Sequence, residues 1–497
     1  MVLTGAKKST AIREYEKREN ESLARKSDQY SKTNEPLQTN SVKLGLDFSA
    51  TPKSVLGLRY SADIGTYNSF SLGHNNVLFE DNNLISNTLT DNTNKSRWNS
   101  QSLSFDFSQK FGEKDNEIRA NMDYVVADYN ADQFLISDFQ QTAHQSPFIS
   151  RRRSKTPSTT RLYVGNLDYV HHISAQQNLE VGWKSSWVKA DNNALGDTLQ
   201  QEQWISDPLT SNHFIFNEQI HAGYVNYNWG NGPWKLVAGA RLEHTNNSGH
   251  QLNTNEINER RYTQFFPSLS LAYGQQTKNS VQISYSRRIK RPDYEDLNPF
   301  RFYIDPFVFW EGNPNLQPEL ADAFELNYTL DHNLLIVAFY TLVTDPMTSV
   351  LTQLPDQNIT IRSLRNIDKF TNKGVNANYS YSPFSYWSMV SNASIYENHY
   401  QGSFNNQEID NRQWSFAFTT TQTLALPKKW SVEVFGEYNS AQTDGVFKQK
   451  AYGAVSSGIS KKFAGDNINL KLAVNDIFRT KKYQTESVVG NVKMHQR

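Results

Sequence analysis

Along most of this chain, hydrophobic and polar residues change places at every step. Val42-Lys43-Leu44-Gly45-Leu46-Asp47-Phe48-Ser49 alternates without a fault, and Trp414 to Thr420 and Trp234 to Glu243 follow the same rule. Successive side chains leave an extended backbone on opposite sides, so a period of two marks a β-strand with two unlike faces. Ile118 to Tyr124, Leu179 to Trp187, Phe265 to Tyr273, Phe324 to Leu330, Trp430 to Tyr438 and Ile468 to Val474 are further such runs. The pattern predicts about 18 strands, several of about 9–11 residues, the length with which a tilted strand crosses a bilayer.

The connections sharpen the picture. Short polar turns are expected at 50–53, 110–116, 171–177, 230–233, 274–279, 331–333, 382–386 and 426–429. Between them stand long polar segments, 63–96, 127–159, 190–217, 245–261, 289–320, 343–369 and 397–411, which read as loops. Short and long in alternation imply an all-β fold, a transmembrane antiparallel up-and-down β-barrel with tight periplasmic turns and large extracellular loops. A sandwich or propeller needs more even turns or a blade repeat, and neither is seen. Trp98, Trp187, Trp229, Trp234, Trp387 and Trp430 lie near strand ends, where aromatic rings gather at the headgroup level of a membrane.

Composition agrees. Hydrophobic residues are 37% of 497 while aromatics reach 13%, and mean hydropathy is −0.67. A chain that is polar on average yet rich in aromatics suits a wall whose alternate residues face lipid while the others stay wet. No apolar run approaches the roughly 20 residues of a spanning helix. The net charge of +0 argues against nucleic acid as a partner. Absence of Cys removes disulfides, thiolate metal sites and Cys nucleophiles. Met1 leads into a charged stretch from Ala6 to Lys26 with no apolar leader, so an export signal is expected upstream. Residues 1–40 read as a polar segment or partial strand, and 41–497 as the barrel domain.

One segment departs from alternation: Ser284-Tyr285-Ser286-Arg287-Arg288-Ile289-Lys290-Arg291-Pro292, Leu297-Asn298-Pro299-Phe300, Asp305-Pro306, Gly312-Asn313-Pro314-Asn315-Leu316-Gln317-Pro318-Glu319, then Glu325-Leu326-Asn327-Tyr328. Each Pro fixes φ and withdraws a donor, so this stretch cannot continue a ladder and reads as a stiff connection. Order and spacing over more than forty residues resemble the barrel segment of TonB-dependent receptors, in the form found in a large barrel family of Bacteroidetes-type bacteria. Leu472-Ala473-Val474-Asn475-Asp476-Ile477-Phe478 resembles the ending of that family's penultimate strand. The resemblance covers about Ser41 to Gln484.

It implies a Gram-negative outer-membrane location with lipid and lipopolysaccharide as surroundings, and about 22 strands, a plug inside the barrel and an N-terminal contact to the TonB complex. It further implies a small nutrient ligand: a metal chelate, a vitamin or an oligosaccharide. The plug, the first strands and the last strand, which would follow Asn491-Val492-Lys493-Met494, are expected to lie outside this stretch. The motif residues, Arg287 to Glu319, read as structural, and no ligand-binding residue is identified. A structural or adhesive barrel and a passive porin remain alternatives.

Other chemistry is sparse. Asp191, Asn193, Gly196, Asp197 and Glu202 partly match a calcium loop, but Leu195 breaks the pattern and no flanking helix is expected. Arg151-Arg152-Arg153 reads as a solvated charge run or an anion contact, and His171-His172 lacks a third metal ligand nearby. Nucleophile-elbow, phosphate-loop, zinc-protease and dinucleotide motifs are absent, so no enzyme, metal or cofactor is expected.

Overall fold

The computed structural model describes the chain apart from residues 1, 20–21, 80–83, 143–145, 276, 355–358, 405–406, 464, 466 and 490–491. The tips of four expected loops, Gln276 of one expected turn and Asn491 therefore lie outside the described residues.

The described residues form 28 strands, 24 in one sheet and four in another. The wall begins with β1 (Val2–Glu19), β2 (Ser22–Thr51), β3 (Ser54–Phe79), β4 (Leu84–Phe111), β5 (Asn116–Thr142), β6 (Phe148–Ser174) and β7 (Gln177–Gln200), with the short β8 (Gln203–Ser206) on β7. It continues through β9 (Asn212–Asn231), β10 (Trp234–Gln251), β11 (Glu256–Tyr273) and β12 (Ser280–Lys290). After α1 (Tyr294–Leu297), β13 (Arg301–Asp305) and β14 (Val308–Glu311) leave the wall, which resumes with β15 (Glu319–Leu330) and β16 (Leu334–Thr344). β17 (Met347–Leu354) and β18 (Ile359–Asn366) leave it again, before β19 (Lys369–Phe384), β20 (Trp387–Phe404), β21 (Gln407–Leu426) and β22 (Trp430–Asn439). The chain ends with β23 (Gln442–Asp444), β24 (Phe447–Gln449), β25 (Tyr452–Phe463), β26 (Ile468–Val474), β27 (Thr485–Val489) and β28 (Val492–Gln496).

Wall strands pair antiparallel with their neighbours, β7 with β9 and β22 with β25 across the short strands between them, and among the described residues β26 pairs only with β25. The last strand then meets the first: β24 pairs with β27, β27 with β28, and β28 with β1 from Arg13↔Gln496 to Lys17↔Val492. Val492 to Gln496 thus lies beside β1. The count also differs from about 18, because Val2–Glu19 is a strand, because the short β8, β23, β24, β27 and β28 pair as well, and because the small sheet adds four.

The alternation now has faces. Leu46, Leu58, Phe105 and Met122 stand in one cross-strand row, and Leu44, Tyr60, Leu103 and Tyr124 in the next; all but Tyr124 are exposed large apolar side chains. On the opposite face, next to the first of these rows, lie Asp47, Gly57, Asp106, Asn121 and Asn166. Its polar groups bond to one another. Arg59 donates to Asp106, Asn121 donates to Asp106, and Asn166 donates to Asn121 Oδ1 at 3.2 Å and to Asp168 Oδ2 at 3.0 Å. Tyr224 closes the run by donating to Asp168. One face carries an oily belt without partners, and the other satisfies its own donors and acceptors.

The expected short turns stand at the ends of these pairs, as at Gly232, whose φ of +56° takes the left-handed conformation that glycine tolerates. The expected long loops are corrected. Segments 63–96, 127–159, 190–217, 245–261 and 397–411 are mostly continuations of the ladder, so β2 runs for 30 residues. At about 3.4 Å per residue that strand is about 100 Å long, some four times the height of an apolar belt of about 25 Å. Above the belt both faces meet water, the hydrophobic contrast fades, and pairing continues unseen in the sequence. Trp98 is a second correction: it lies against Gly65 on the polar face, and a Cβ there would stand 2.1 Å from its ring. Trp234 and Trp430 flank short turns and are exposed, as expected of girdle residues.

Candidate functional site

The segment that breaks the alternation does not stay at the rim. It leaves the large sheet and builds the four-stranded one. β13 and β14 form a hairpin, β14 pairs parallel with β18 from Val308↔Thr360 to Trp310↔Arg362, and β18 pairs antiparallel with β17. Two connections, one after β12 and one after β16, thus combine into a cap.

The cap touches the wall on all sides. Tyr303 and Phe309 pack in one cluster with Leu135 of β5, and Leu297 and Leu316 with Ala190, Phe214 and Phe216 of β7 and β9. Val350 and Ile367 meet Tyr400, Ile409 and Val446 near β20, β21 and β24, while Val308 and Leu351 meet Met494 of β28. Phe309, Leu316 and Val350 are each 0% exposed, so the cap has a dry core. Polar ties add direction. Asn92 Nδ2 donates to Ile304 O at 3.2 Å, Gln133 Nε2 donates to Tyr303 O at 3.0 Å, and the Arg152 guanidinium lies 4.6 Å over the Tyr303 ring.

The motif residues form the stalk. Pro292 ends the β12 ladder, and Arg291 before it bonds to the wall: Nη2 donates to Glu243 Oε2 at 2.7 Å and Thr245 Oγ1 at 2.9 Å, and Nε to the Tyr262 hydroxyl at 3.2 Å. Burial opposes that charge, but the bonds to Glu243 and Tyr262 hold the guanidinium above its ordinary pKa. Leu297 is buried at the end of α1. Buried Asn298 takes a hydrogen bond from Asn212 and gives one to Asn192 Oδ1 at 3.4 Å. Gly312 passes so close to Asn298 that a Cβ would stand 2.0 Å from its carbonyl oxygen.

Asn313 Nδ2 donates to Leu364 O at 3.1 Å, its Oδ1 accepts from Asn315 N–H at 3.0 Å, and Arg260 Nη2 donates to Pro314 O at 2.8 Å. Glu319 Oε1 accepts from Met347 N–H at 2.7 Å, which couples the two cap connections at their roots. Pro299, Phe300 and Pro318 sit half-buried along the same path, whereas Arg288 is exposed and Arg287 is half-buried with its Nε unpartnered. Burial, with help from Asp293 and Glu295, raises the Asp296 carboxyl above the ordinary range.

Several expectations resolve here. The run Arg151-Arg152-Arg153 is not a free charge cluster: Arg153 pairs with Asp197 at 2.8 Å and covers the Trp204 ring, and Arg152 supports the cap. The calcium-like pattern falls on the paired strand β7, where Asp191 accepts from His213. No group of three or more potential metal-ligating side chains is found among the described residues. The second cap connection, Met347 to Asn366, reads in the sequence only as part of the loop 343–369, because a parallel pairing between distant segments leaves no local pattern.

The wall strands β1 to β4 and the cap enclose a chamber of about 390 Å³, lined by Gln29, Ser31, Thr33, Glu35, Tyr67, Ser69, Ser71, Asn75, Thr90, Asn92 and Asn94, with Phe302 and Ile304 of β13.

Residues 109–497 match the outer membrane protein beta-barrel family. Among solved structures, the copper transporter OprC aligns with a TM-score of 0.58 and 12% identity, over 99% of this chain and 82% of that one. The ferric-catecholate import receptor Fiu of Escherichia coli K12 aligns at 0.56 and 10%, over 98% and 81%. The siderophore receptor PiuA of Acinetobacter baumannii aligns at 0.55 and 10%, over 99% and 82%. At such identities the likeness is one of fold. Curated protein sequences give no match. With the match covering most of its length, the chain belongs to the outer membrane protein β-barrel family, whose place is the outer membrane of Gram-negative bacteria.

Proposed function

We propose that this barrel is the membrane wall of an energised receptor that captures a nutrient at its outer mouth and imports it on a signal from the inner membrane. The observation that carries the reading is the cap, a sheet with a dry core packed against the wall strands, which favours a mouth that closes over a ligand rather than the open water path of passive diffusion. A receptor needs such closure, because its ligand has to be held before it is moved. The polar inner face of β2 to β9, already hydrogen-bonded across strands, suits a wall that meets a polar plug or water.

In this reading, a plug fills the lumen, the TonB complex acts through a segment N-terminal to the barrel, and β28 closes the wall onto β1. Lipid and lipopolysaccharide surround the belt, and the motif residues Arg291, Leu297, Asn298, Gly312, Asn313 and Leu316 set the cap's stalk.

Uptake tests it. Cells carrying the complete gene should accumulate a labelled nutrient only when TonB is present. A planar bilayer holding the purified protein should show no large steady conductance; a porin-like open current, with uptake indifferent to TonB, would overturn import in favour of diffusion.

A further inference from the structure

The chamber under β13 has a chemistry that the cap alone does not explain. Cross-strand register places Arg13, Gln29 and Asn75 in one row, Ser31, Gly73 and Thr90 in another, and Thr33, Ser71 and Asn92 in a third, all on the inner face. Hydroxyls and amides thus dominate the wall side of the chamber, with Arg13, Glu35 and His74 among them. Over it stands β13, whose period of two turns Phe302 and Ile304 into the chamber and Tyr303 the other way, into the cluster with Leu135 and Phe309. An aromatic ring above a floor of hydroxyls and amides is the combination that a sugar ring meets with both its faces and its edge.

Two further facts point to a ligand. Gln29 and Asn75 are 7% and 5% exposed, yet Gln29 Oε1 and Asn75 Nδ2 have no hydrogen-bond partner, and neither has Asn94 Oδ1 at the far end of the chamber. Buried amide groups left unmade are costly, so their persistence in one chamber wants an explanation. Asn75 already accepts from Ser27 through Oδ1 at 2.8 Å, which leaves its amide nitrogen for another molecule. Charge is nearly balanced: Arg13 and Glu35 are the fixed charges, Glu35 is engaged by the Tyr67 hydroxyl at 2.5 Å, and His74 is hydrogen-bonded to Asn87 at 3.2 Å. A strongly anionic chelate or a cation finds no net opposite charge here. The volume of about 390 Å³ falls within the range of small-ligand sites.

We infer that this chamber is a binding site for a neutral, hydroxyl-rich ligand of the saccharide class, held by the amides of Gln29 and Asn75 and stacked under Phe302. The inference names the ligand class for the import reading above and rests on it only for the ligand's onward passage.

The full chain, folded in detergent, is titrated calorimetrically with maltose, cellobiose and N,N′-diacetylchitobiose, and with ferric citrate as the anionic chelate. At least one disaccharide should bind saturably, and Phe302→Ala and Asn75→Leu should each weaken it about tenfold or more. Phe302 is half-exposed, so its truncation leaves the dry cap core of Phe309 and Leu316 in place. Phe384→Ala, at the opposite rim, should leave binding unchanged. Binding of ferric citrate with no response to any disaccharide overturns the ligand class. Disaccharide binding indifferent to both Phe302→Ala and Asn75→Leu overturns the location. In cells, saccharide binding without TonB-dependent uptake sinks the import reading and leaves the site standing. TonB-dependent uptake untouched by Phe302→Ala does the reverse.

Discussion

Replacing Arg291 with Met should loosen the cap while leaving the wall intact. The Arg291 guanidinium makes three hydrogen bonds, to Glu243, Thr245 and Tyr262, at 2.7, 2.9 and 3.2 Å. Its side chain is 19% exposed and that of Glu243 8%, so the pair is largely dry. Breaking a buried pair by removing one partner costs about 3–5 kcal/mol. Here Glu243 keeps Arg241 at 3.1 Å, so the loss is smaller, about 2 kcal/mol. At 1.36 kcal/mol per decade, the population with an open cap rises about 30-fold. Hydrogen exchange reads this directly. Amides of β13, β14, β17 and β18 should exchange about 30-fold faster, while those of β3 to β5 keep their rates. Arg291→Lys should recover part of the effect, since an ammonium satisfies Glu243 but lacks the planar fork that also reaches Tyr262. Unchanged exchange in the cap, or an equal rise throughout the wall, would refute the claim that this residue anchors the stalk.

Phe309→Ala removes a ring that is 0% exposed and should destabilise the cap by about 3–5 kcal/mol, seen as tryptic cleavage near Arg301 and Arg362 that the parent resists. Gly312→Ala places a Cβ 2.0 Å from the Asn298 carbonyl oxygen and should open the cap to exchange at least as far as Arg291→Met does. Asp296 has a raised carboxyl pKa when folded, so its contribution to cap stability is full below the unfolded value and is lost as pH rises through the folded one. Asp296→Asn should therefore flatten the pH dependence of cap exchange on the acid side of neutrality and protect the cap at neutral pH. Leu46→Lys, in the outward row, should cost about 2–4 kcal/mol in folding into lipid vesicles, whereas Ser104→Lys on the inner face should cost less than about 1 kcal/mol.

The wall was legible in the sequence wherever its two faces meet unlike surroundings. Val42 to Ser49 alternates because Leu44, Leu46 and Phe48 stand exposed on the belt while Asp47 joins the polar face. Higher up, Ser69-Phe70-Ser71-Leu72 still alternates, but Gly73 to Asn76 does not, and the ladder through those residues left no trace in hydropathy. The motif residues were visible as a break in pattern, because proline and glycine announce backbone that cannot pair. Where that backbone goes was not visible. The β14–β18 pairing joins segments some fifty residues apart in parallel, and Arg152 meets Tyr303 across the enclosed space. Trp98 misled for a related reason: a tryptophan near a strand end has the same sequence signature whether it faces lipid or fills the space over Gly65.

The account stands on which way each wall residue points, and the chain lends itself to that test because it has no Cys. Single Cys residues placed in turn at positions 43 to 48, spin-labelled after folding into lipid vesicles, report contact with oxygen in the hydrocarbon or with a water-soluble nickel chelate. Labels at 44, 46 and 48 should favour oxygen and those at 43, 45 and 47 the chelate, with a period of two throughout. Six labels with the same preference, or a maximum of oxygen access on the odd positions, would contradict the barrel wall described.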